Sequence, residues 1–431
     1  MTDARALKKR ADAMKWIRTI LAAILCLLPT LAHAEKTLEL WTFIDPAGDS
    51  PRSKALAQII GTFEAQNPDV KVKPTVFAWN QINLAFMKAG RSGKVPDLTM
   101  LNSGRIQRVV AANYLRPLDS YLDKSGQRAD YILLPNAIGE DKKVYGVPYE
   151  VRALGFLYRS DLLQKAGLAK PKNLRELVAS AKKMQEMQGP TFVGVGIGFD
   201  PKQDSAEKFY IPAVTALGGK ILKSDGSADF VTPENMKVMN FVRDLVQTDK
   251  VMPLDVGLTG PDQVRTLAEA GRVGYYFQGS HWLLTLRTKL PQEARLDFMP
   301  VPLMDGDGVQ PVFVEGWNLG IPVNAKEPDF AWKLIELWTS PEIQIMQAKV
   351  AGYLPMRKSA AAKVDPNAPD TAHIKPLLDL IGSNAMNFKW PINTDALQEA
   401  LGIAVSNVIA DREKPEDALR EAEKIYNSMR E

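Results

Sequence analysis

The sequence predicts an α/β protein built of two sheet-and-helix units. Strands and helices alternate from residue 37 onward, the alternation restarts after residue 149, and 431 residues with 45% apolar content leave room for more than one core. At roughly 150 residues per domain the length allows two or three compact units. Gly and Pro, at 29 each, are ordinary, which excludes collagen-like repeats and disorder. Two units in one chain stand either side by side or interleaved, and periodicity does not choose between them.

The first 34 residues stand apart from this pattern. Lys15 and Arg18 precede the apolar run Ile20 to Leu28, then come Pro29 and Ala32-His33-Ala34. A charged segment, a short apolar segment and a small-x-small site read as a secretory signal cleaved after Ala34. Met14 to Ala34 is already a complete signal. The run is shorter than the ~20 residues that span a bilayer. Leu25 precedes Cys26, so the small residue that a lipoprotein needs is missing. Residues 1–34 carry six positive charges (Arg5, Lys8, Lys9, Arg10, Lys15, Arg18) and two negative ones (Asp3, Asp12). The formal net charge of +4 therefore belongs to the signal, and residues 35–431 hold 48 charges of each sign. They also lack Cys, which excludes disulfides and thiolate chemistry. A balanced chain without long basic runs does not suit nucleic acid.

Thr37 to Phe43 alternate apolar and polar residues and read as a strand running into the turn-rich stretch 45–51. Leu56, Ile59, Ile60 and Phe63 have helical spacing, and Asn67-Pro68 ends that helix. Val70, Val72 and Val76 make a second strand, and Leu98, Met100 and Leu101 a third. This order predicts a parallel sheet with covered faces. Ala153 to Tyr158 begin the second unit as an apolar strand. Asn173-Leu174-Arg175-Glu176 forms a capping box for a helix through Met187. Val193–Ile197 and Val273–Phe277 read as strands, and helices are expected near 205–217, 233–248 and 261–270. Further strands are expected at 296–301 and 319–323, and helices at 327–339 and 396–430 with a break at Lys414-Pro415. Bend signals near 146–150 and at Pro300-Val301-Pro302 mark where the chain would cross between units.

Aromatic residues gather at predicted strand ends and loops: Trp41, Phe43, Trp79, Trp282 and Trp317. Trp332 and Trp338 lie within a helix and read as core. Ligands of open α/β sheets bind beyond the carboxyl ends of strands. A sugar offers a C–H face to an aromatic ring and a rim of hydroxyls to polar groups. Asp45, Asn80, Gln81, Asn102, Ser103, Glu150, Arg152, Glu315, Asn318 and Arg357 supply polar groups near those ends. His281 and His373 stand in no metal-ligand motif and read as structural. Neither a Gly-x-Ser-x-Gly elbow nor a phosphate loop is present. A hydrolase would have only Glu150 and Glu315 as its carboxylate pair.

In order along the chain, Leu38-Glu-Leu-Trp-Thr-Phe, Phe63-Glu-Ala-Gln-Asn-Pro-Asp-Val-Lys-Val, Val95-Pro-Asp-Leu, Tyr114-Leu-Arg-Pro-Leu-Asp and Val144-Tyr-Gly-Val-Pro-Tyr form one series. It continues with Leu157-Tyr-Arg-Ser-Asp-Leu-Leu-Gln-Lys-Ala-Gly-Leu, Glu269-Ala-Gly-Arg-Val-Gly-Tyr, Gly279-Ser-His-Trp, Glu315-Gly-Trp-Asn and Gly352-Tyr-Leu-Pro-Met-Arg. The series resembles the maltose-binding-like (family 1) extracellular solute-binding proteins of ABC importers and covers nearly all of residues 35–431. The resemblance implies two interleaved, doubly wound lobes joined by a hinge, a periplasmic-binding-protein-like fold of type II. Lobe one would comprise 35–148 and 298–340, and lobe two 149–297 and 341–431.

The resemblance places ligand-binding positions at Trp41, Phe43, Trp79, Asn102, Ser103, Tyr149, Glu150, Trp282, Gly316, Trp317, Tyr353 and Arg357. The chain departs from the family at Arg175, where many relatives have Trp, and at Glu315-Gly316-Trp317, which replaces a common Gly-Gly and points to a small ligand. A periplasmic, monomeric carrier of a sugar-like solute is implied, delivering to the transmembrane permease subunits, with no cofactor, catalytic residue or metal. Three readings stay open at this point. The cleft suits a carbohydrate, or a cation or anion held by Glu150 and Glu315 or by Arg152 and Arg357, or it belongs to an exported hydrolase.

Overall fold

The computed structural model describes residues 35–203, 206–386, 388 and 390–429, so the signal segment lies outside the described residues. One eight-stranded sheet runs in the order β2 (Val70–Val76), β1 (Lys36–Thr42), β3 (Leu98–Asn102), β8 (Val314–Gly320), β4 (Val147–Arg159), β6 (Val273–Gly279) and β5 (Val193–Gly196), with β7 (Leu296–Met299) also paired to β4. The pairs β1–β2, β1–β3 and β5–β6 are parallel, as expected. The sheet as a whole is not. β8 runs antiparallel to β3 and β4, and β4 antiparallel to β6 and β7, because the chain crosses the molecule on β4 and returns on β8.

β4 is the central element. Its first half, Val147–Ala153, pairs with β8, and its second half, Leu154–Arg159, pairs with β6 and β7. All 13 of its residues are buried, because both of its faces are covered. The register shift between Pro148 and Glu150 falls at the bend read from the sequence. β8 occupies Val314–Gly320, not 319–323 as expected. Glu315, Gly316 and Asn318 break the apolar alternation that marks a strand, and they lie in the sheet because β3 and β4 flank them on both sides.

Two large cores lie on either side of the β4–β8 ribbon. The first draws on Leu38, Leu40, Ile59, Phe63, Met100, Tyr149, Leu319, Trp332 and Trp338, and reaches Ile343 beyond residue 340. The second draws on Phe156, Leu177, Met184, Phe209, Val242, Tyr275, Leu401 and Leu419. The interleaving is therefore visible as packing. A smaller cluster of Ala153, Val312, Ala348, Leu354, Ile374 and Leu377 lies against the ribbon.

The expected cap forms at Asn173, and Ser50 supplies another. Ser50 accepts from the Ser53 amide at the start of α1 (Pro51–Gln66), where Pro51 fits the first turn. Asn173 accepts from the Glu176 amide at 2.9 Å. The Glu176 carboxylate accepts from Lys172 N–H, one residue before the cap itself. Four further helices position the site and the ribbon's back: α2 (Ala206–Ala216), α3 (Pro261–Glu269), α4 (Trp282–Lys289) and α5 (Ile374–Asn384). The C-terminal pair, α6 (Thr394–Ile409) and α7 (Pro415–Met429), is interrupted at Lys414, and Leu401 and Leu419 seat it on the second core. No helix among the described residues is long and apolar enough to cross a membrane.

Candidate functional site

Side chains alternate across a strand, so the β4–β8 ribbon has two chemically different faces. Arg152 and Leu154 of β4 and Glu315 and Trp317 of β8 line a cavity of about 410 Å³ on the front face. Phe43, Arg52, Phe77, Ala78 and Trp79 close it from the side of the first core. Gly198, Lys208, Pro261, Asp262, Arg265, Phe277, Gln278, His281 and Trp282 close it from the side of the second.

The aromatic walls come from strand ends and the loops after them. Phe43 follows β1 and lies against Trp317, with ring centroids 4.1 Å apart and planes at 34°. Trp79 follows β2 in a turn closed by the Gln81 amide donating to the Ala78 carbonyl. Trp282 opens α4, and the Arg265 guanidinium lies 4.5 Å from its ring centre. Arg265 in turn pairs with Asp262 at 2.7 Å and with Glu269 at 3.4 Å.

The floor is a chain of alternating charges along the ribbon. Arg52, in the first turn of α1, donates to Glu150 Oε2 at 3.1 Å. Arg152 bonds to the other Glu150 oxygen and reaches Glu315 Oε1 at 2.9 Å from Nε and 2.6 Å from Nη2. Lys208 of α2 meets Glu315 Oε2 at 2.6 Å. Burial works to raise the Glu315 carboxyl, but Arg152 and Lys208 outweigh it and hold the group well below the usual carboxylate range. His281 is pushed well below its ordinary value by burial, reinforced by Arg152, Arg52, Lys208 and Arg265, so its imidazole is neutral. Arg52 Nε and His281 Nδ1 are buried with no hydrogen-bond partner among the described residues.

Of the positions expected in the cleft, Phe43, Trp79, Trp282 and Trp317 line the cavity, and Glu150 belongs to its floor. Tyr353 is buried behind Arg52, whose guanidinium lies 5.5 Å from its ring centre. The others point elsewhere. Trp41 packs on Phe77 and Phe86. The Asn102 side chain accepts from the Gly104 amide, and Tyr149 donates to the Met100 sulfur. Ser103 and Gly316 exchange hydrogen bonds, the Gly316 amide donating to Ser103 Oγ at 3.1 Å. Gly316 has to be glycine, since a Cβ there would sit 2.0 Å from the Glu150 carbonyl oxygen. Arg357 pairs with Asp130 at 2.7 Å and covers the Tyr131 ring, away from the cavity.

Arg52, Phe77, Lys208, Pro261, Asp262, Arg265, Phe277 and Gln278 were not singled out in the sequence. Arg52 and Asp262 each follow a Pro that opens a helix, a position that faces the crevice beyond strand ends. Lys208 gives no sequence signal. His281, read as structural, lines the cavity. His373, also read as structural, has both ring nitrogens buried without a partner among the described residues.

A two-cored sheet of this order with an aromatic cavity across its crossing ribbon is a binding architecture, and the family comparison agrees. Residues 58–376 match the family model described as bacterial extracellular solute-binding protein. The chain belongs to that family. A binding protein of Brucella abortus (strain 2308) is 25% identical over 311 residues, covering 69% of this chain and 72% of its relative. Among solved structures, maltose-bound MalE3 of T. maritima aligns with a TM-score of 0.77 at 22% identity, over 91% of this chain and 99% of that one. A solute-binding protein of an ABC transporter from Thermotoga lettingae, bound with α-D-tagatose, aligns with a TM-score of 0.78 at 22% identity, over 92% and 100%. This solute-binding protein therefore has the two-lobed, hinged fold that the sequence resemblance implied.

Proposed function

We propose that this solute-binding protein is the periplasmic component of an ABC importer, that it takes a neutral sugar or polyol in the front cavity, and that it hands the solute to the membrane permease. The observation that carries the reading is the pairing of aromatic walls with a charge-balanced floor. Phe43, Trp79, Trp282 and Trp317 offer ring faces to C–H groups. Arg52, Arg152, Lys208 and Arg265 are matched by Glu150, Glu315, Asp262 and Glu269. An ionic ligand would have to break one of these pairs. A hydroxyl meets the open Arg52 Nε donor or the open His281 Nδ1 without breaking any, and leaving such a buried group unmet costs about 1–3 kcal/mol. Maltose and tagatose, bound by the two structural relatives, are neutral carbohydrates. Trp317 lines the cavity with its ring packed on Phe43, which favours a small solute.

The lobes are taken as 35–148 with 298–340 and 149–297 with 341–431, with the cores overrunning these bounds: Met299, Val301, Met304 and Phe313 pack with the second core and Ile343 with the first. Ligand contacts both, so it binds the closed arrangement better and shifts the population toward it. Glu150 and Glu315 do not suit hydrolysis. Arg152 bonds both carboxylates, and Glu315 is held ionised, where a general acid needs a raised pKa. A thermal-shift screen over neutral sugars, polyols, sugar acids, sugar phosphates and quaternary amines tests the reading. Stabilisation confined to the neutral polyhydroxy group is the expected result. Stabilisation by sugar phosphates or amines alone overturns it, and turnover of a stabilising ligand revives the hydrolase.

A further inference from the structure

The ribbon's back face carries a second cavity, almost as large as the first. Its volume is about 390 Å³, and Val151 of β4 and Val314 of β8 form its base. One wall is the segment Ile132 to Asn136. The opposite wall is Phe313, Met386, Phe388 and Trp390, which pack with the second core. Leu378, Ile381 and Gly382 of α5 form its rim.

Its chemistry is the inverse of the front cavity's. Among the described residues, no Asp, Glu, Lys, Arg or His lines it. Its two polar side chains are already engaged: Ser103 Oγ accepts from the Gly316 amide, and Asn136 Oδ1 accepts from the Trp390 amide at 3.2 Å. Among the described residues, no buried side-chain donor or acceptor without a partner belongs to the lining. Water in such a space finds few partners, so an apolar molecule displaces it at little cost. The volume falls in the range of about 300–1,000 Å³ typical of small-molecule sites.

We propose that the back cavity is a second binding site, for a small uncharged apolar molecule with one or two rings, and that its occupant favours closure of the front cavity. The coupling follows from the position of the ribbon. Val151 and Arg152 are successive residues of one strand facing opposite cavities, as are Val314 and Glu315. Rotation about such a ribbon brings one pair of walls together as it separates the other. A molecule wedged between the Ile132–Asn136 wall and the wall of Phe388 and Trp390 keeps the back open and so brings the front walls together. The two sites are then linked reciprocally. The existence of the back site does not depend on which solute the front cavity takes.

The uncharged dye N-phenyl-1-naphthylamine tests the proposal by its fluorescence gain in an apolar site. The wild-type protein is expected to bind it saturably. Gly382→Phe is expected to weaken binding at least about tenfold. A Cβ at Gly382 meets nothing within 4 Å, so the added ring enters open space, and the helix loses a glycine. Ala361→Phe fills the same cavity from another segment and repeats the test should the first variant not fold. Trp79→Ala, on the front, is expected to leave dye binding unchanged. Absence of saturable binding, equal binding by both filled variants, or loss of binding in Trp79→Ala overturns the site. Small-angle X-ray scattering tests the coupling. Saturating dye is expected to lower the radius of gyration, and an unchanged or larger radius overturns the link to closure.

Discussion

The two faces of the β4–β8 ribbon are made from alternating residues of the same two strands, yet they are held together by opposite physics. On the front, Arg152 stands between Glu150 and Glu315, and each charge is tolerated in a buried setting only because its neighbour is present. On the back, Val151, Ala153 and Val314 pack among Leu134, Leu354 and Met356, where each contact contributes by area and none is indispensable. The difference teaches where substitution is dangerous and where it is tunable. The front is rigid in charge and open in shape. Among the described residues, the back is neutral in charge and set by volume.

The largest effect is expected from breaking the front chain. Arg152→Met leaves two buried carboxylates without their shared partner and should cost about 3–5 kcal/mol in urea unfolding. Val314→Ala on the back should cost only about 1–2 kcal/mol. Equal losses would erase the contrast.

Acid should separate the faces next. His281 and His373 are both held below the ordinary value of 6.5, His281 by burial and nearby cations, and His373 to about 4 by burial and Arg287. As pH falls below 6.5 the unfolded chain takes up protons that the folded chain refuses. Stability is therefore full above that value and falls below it, by up to about 1.4 kcal/mol per pH unit for each histidine. Glu315, depressed when folded, adds a further loss as pH drops below 4.5. His281→Asn should remove one histidine's share of the slope between pH 6.5 and 5, as read by denaturant midpoints, and leave the Glu315 portion in place.

The smallest effect is expected where the two halves touch beyond the ribbon. Arg105 and Arg108 reach Asp395 of α6 at 2.8 and 3.2 Å. Asp395 is more than half exposed, so Asp395→Asn should change stability or solute affinity by under about 1 kcal/mol. Even that change should vanish in 1 M salt, where screening acts within about 3 Å.

Much of the frame was legible because it is local. Leu56, Ile59 and Phe63 announce α1, Asn173 and Glu176 announce a helix start, and Lys414-Pro415 marks the break before α7. β8 was displaced in the reading because its polar residues are made acceptable by partners remote in sequence, as Arg152 is to Glu315 at a separation of 163 residues. The same reason hid Lys208 and Arg52. Their role depends on which carboxylate the fold brings to them, and no local pattern records that. The aromatics at strand ends were legible as a group, but the facing of each ring was not. Trp41 and Trp317 both belong to strands, yet only Trp317 turns toward the cavity. Arg357 was placed in the cleft by resemblance, whereas it pairs with Asp130 and is not among the residues lining the cavity.

The front cavity, with its aromatic walls, is the proposed binding place of a neutral sugar or polyol. Isothermal titration calorimetry of the stabilising sugar against the wild type, Trp282→Ala and Trp317→Ala tests it most directly. Each substitution is expected to weaken affinity more than tenfold, about 1.4 kcal/mol. Unchanged affinity in both variants would contradict it.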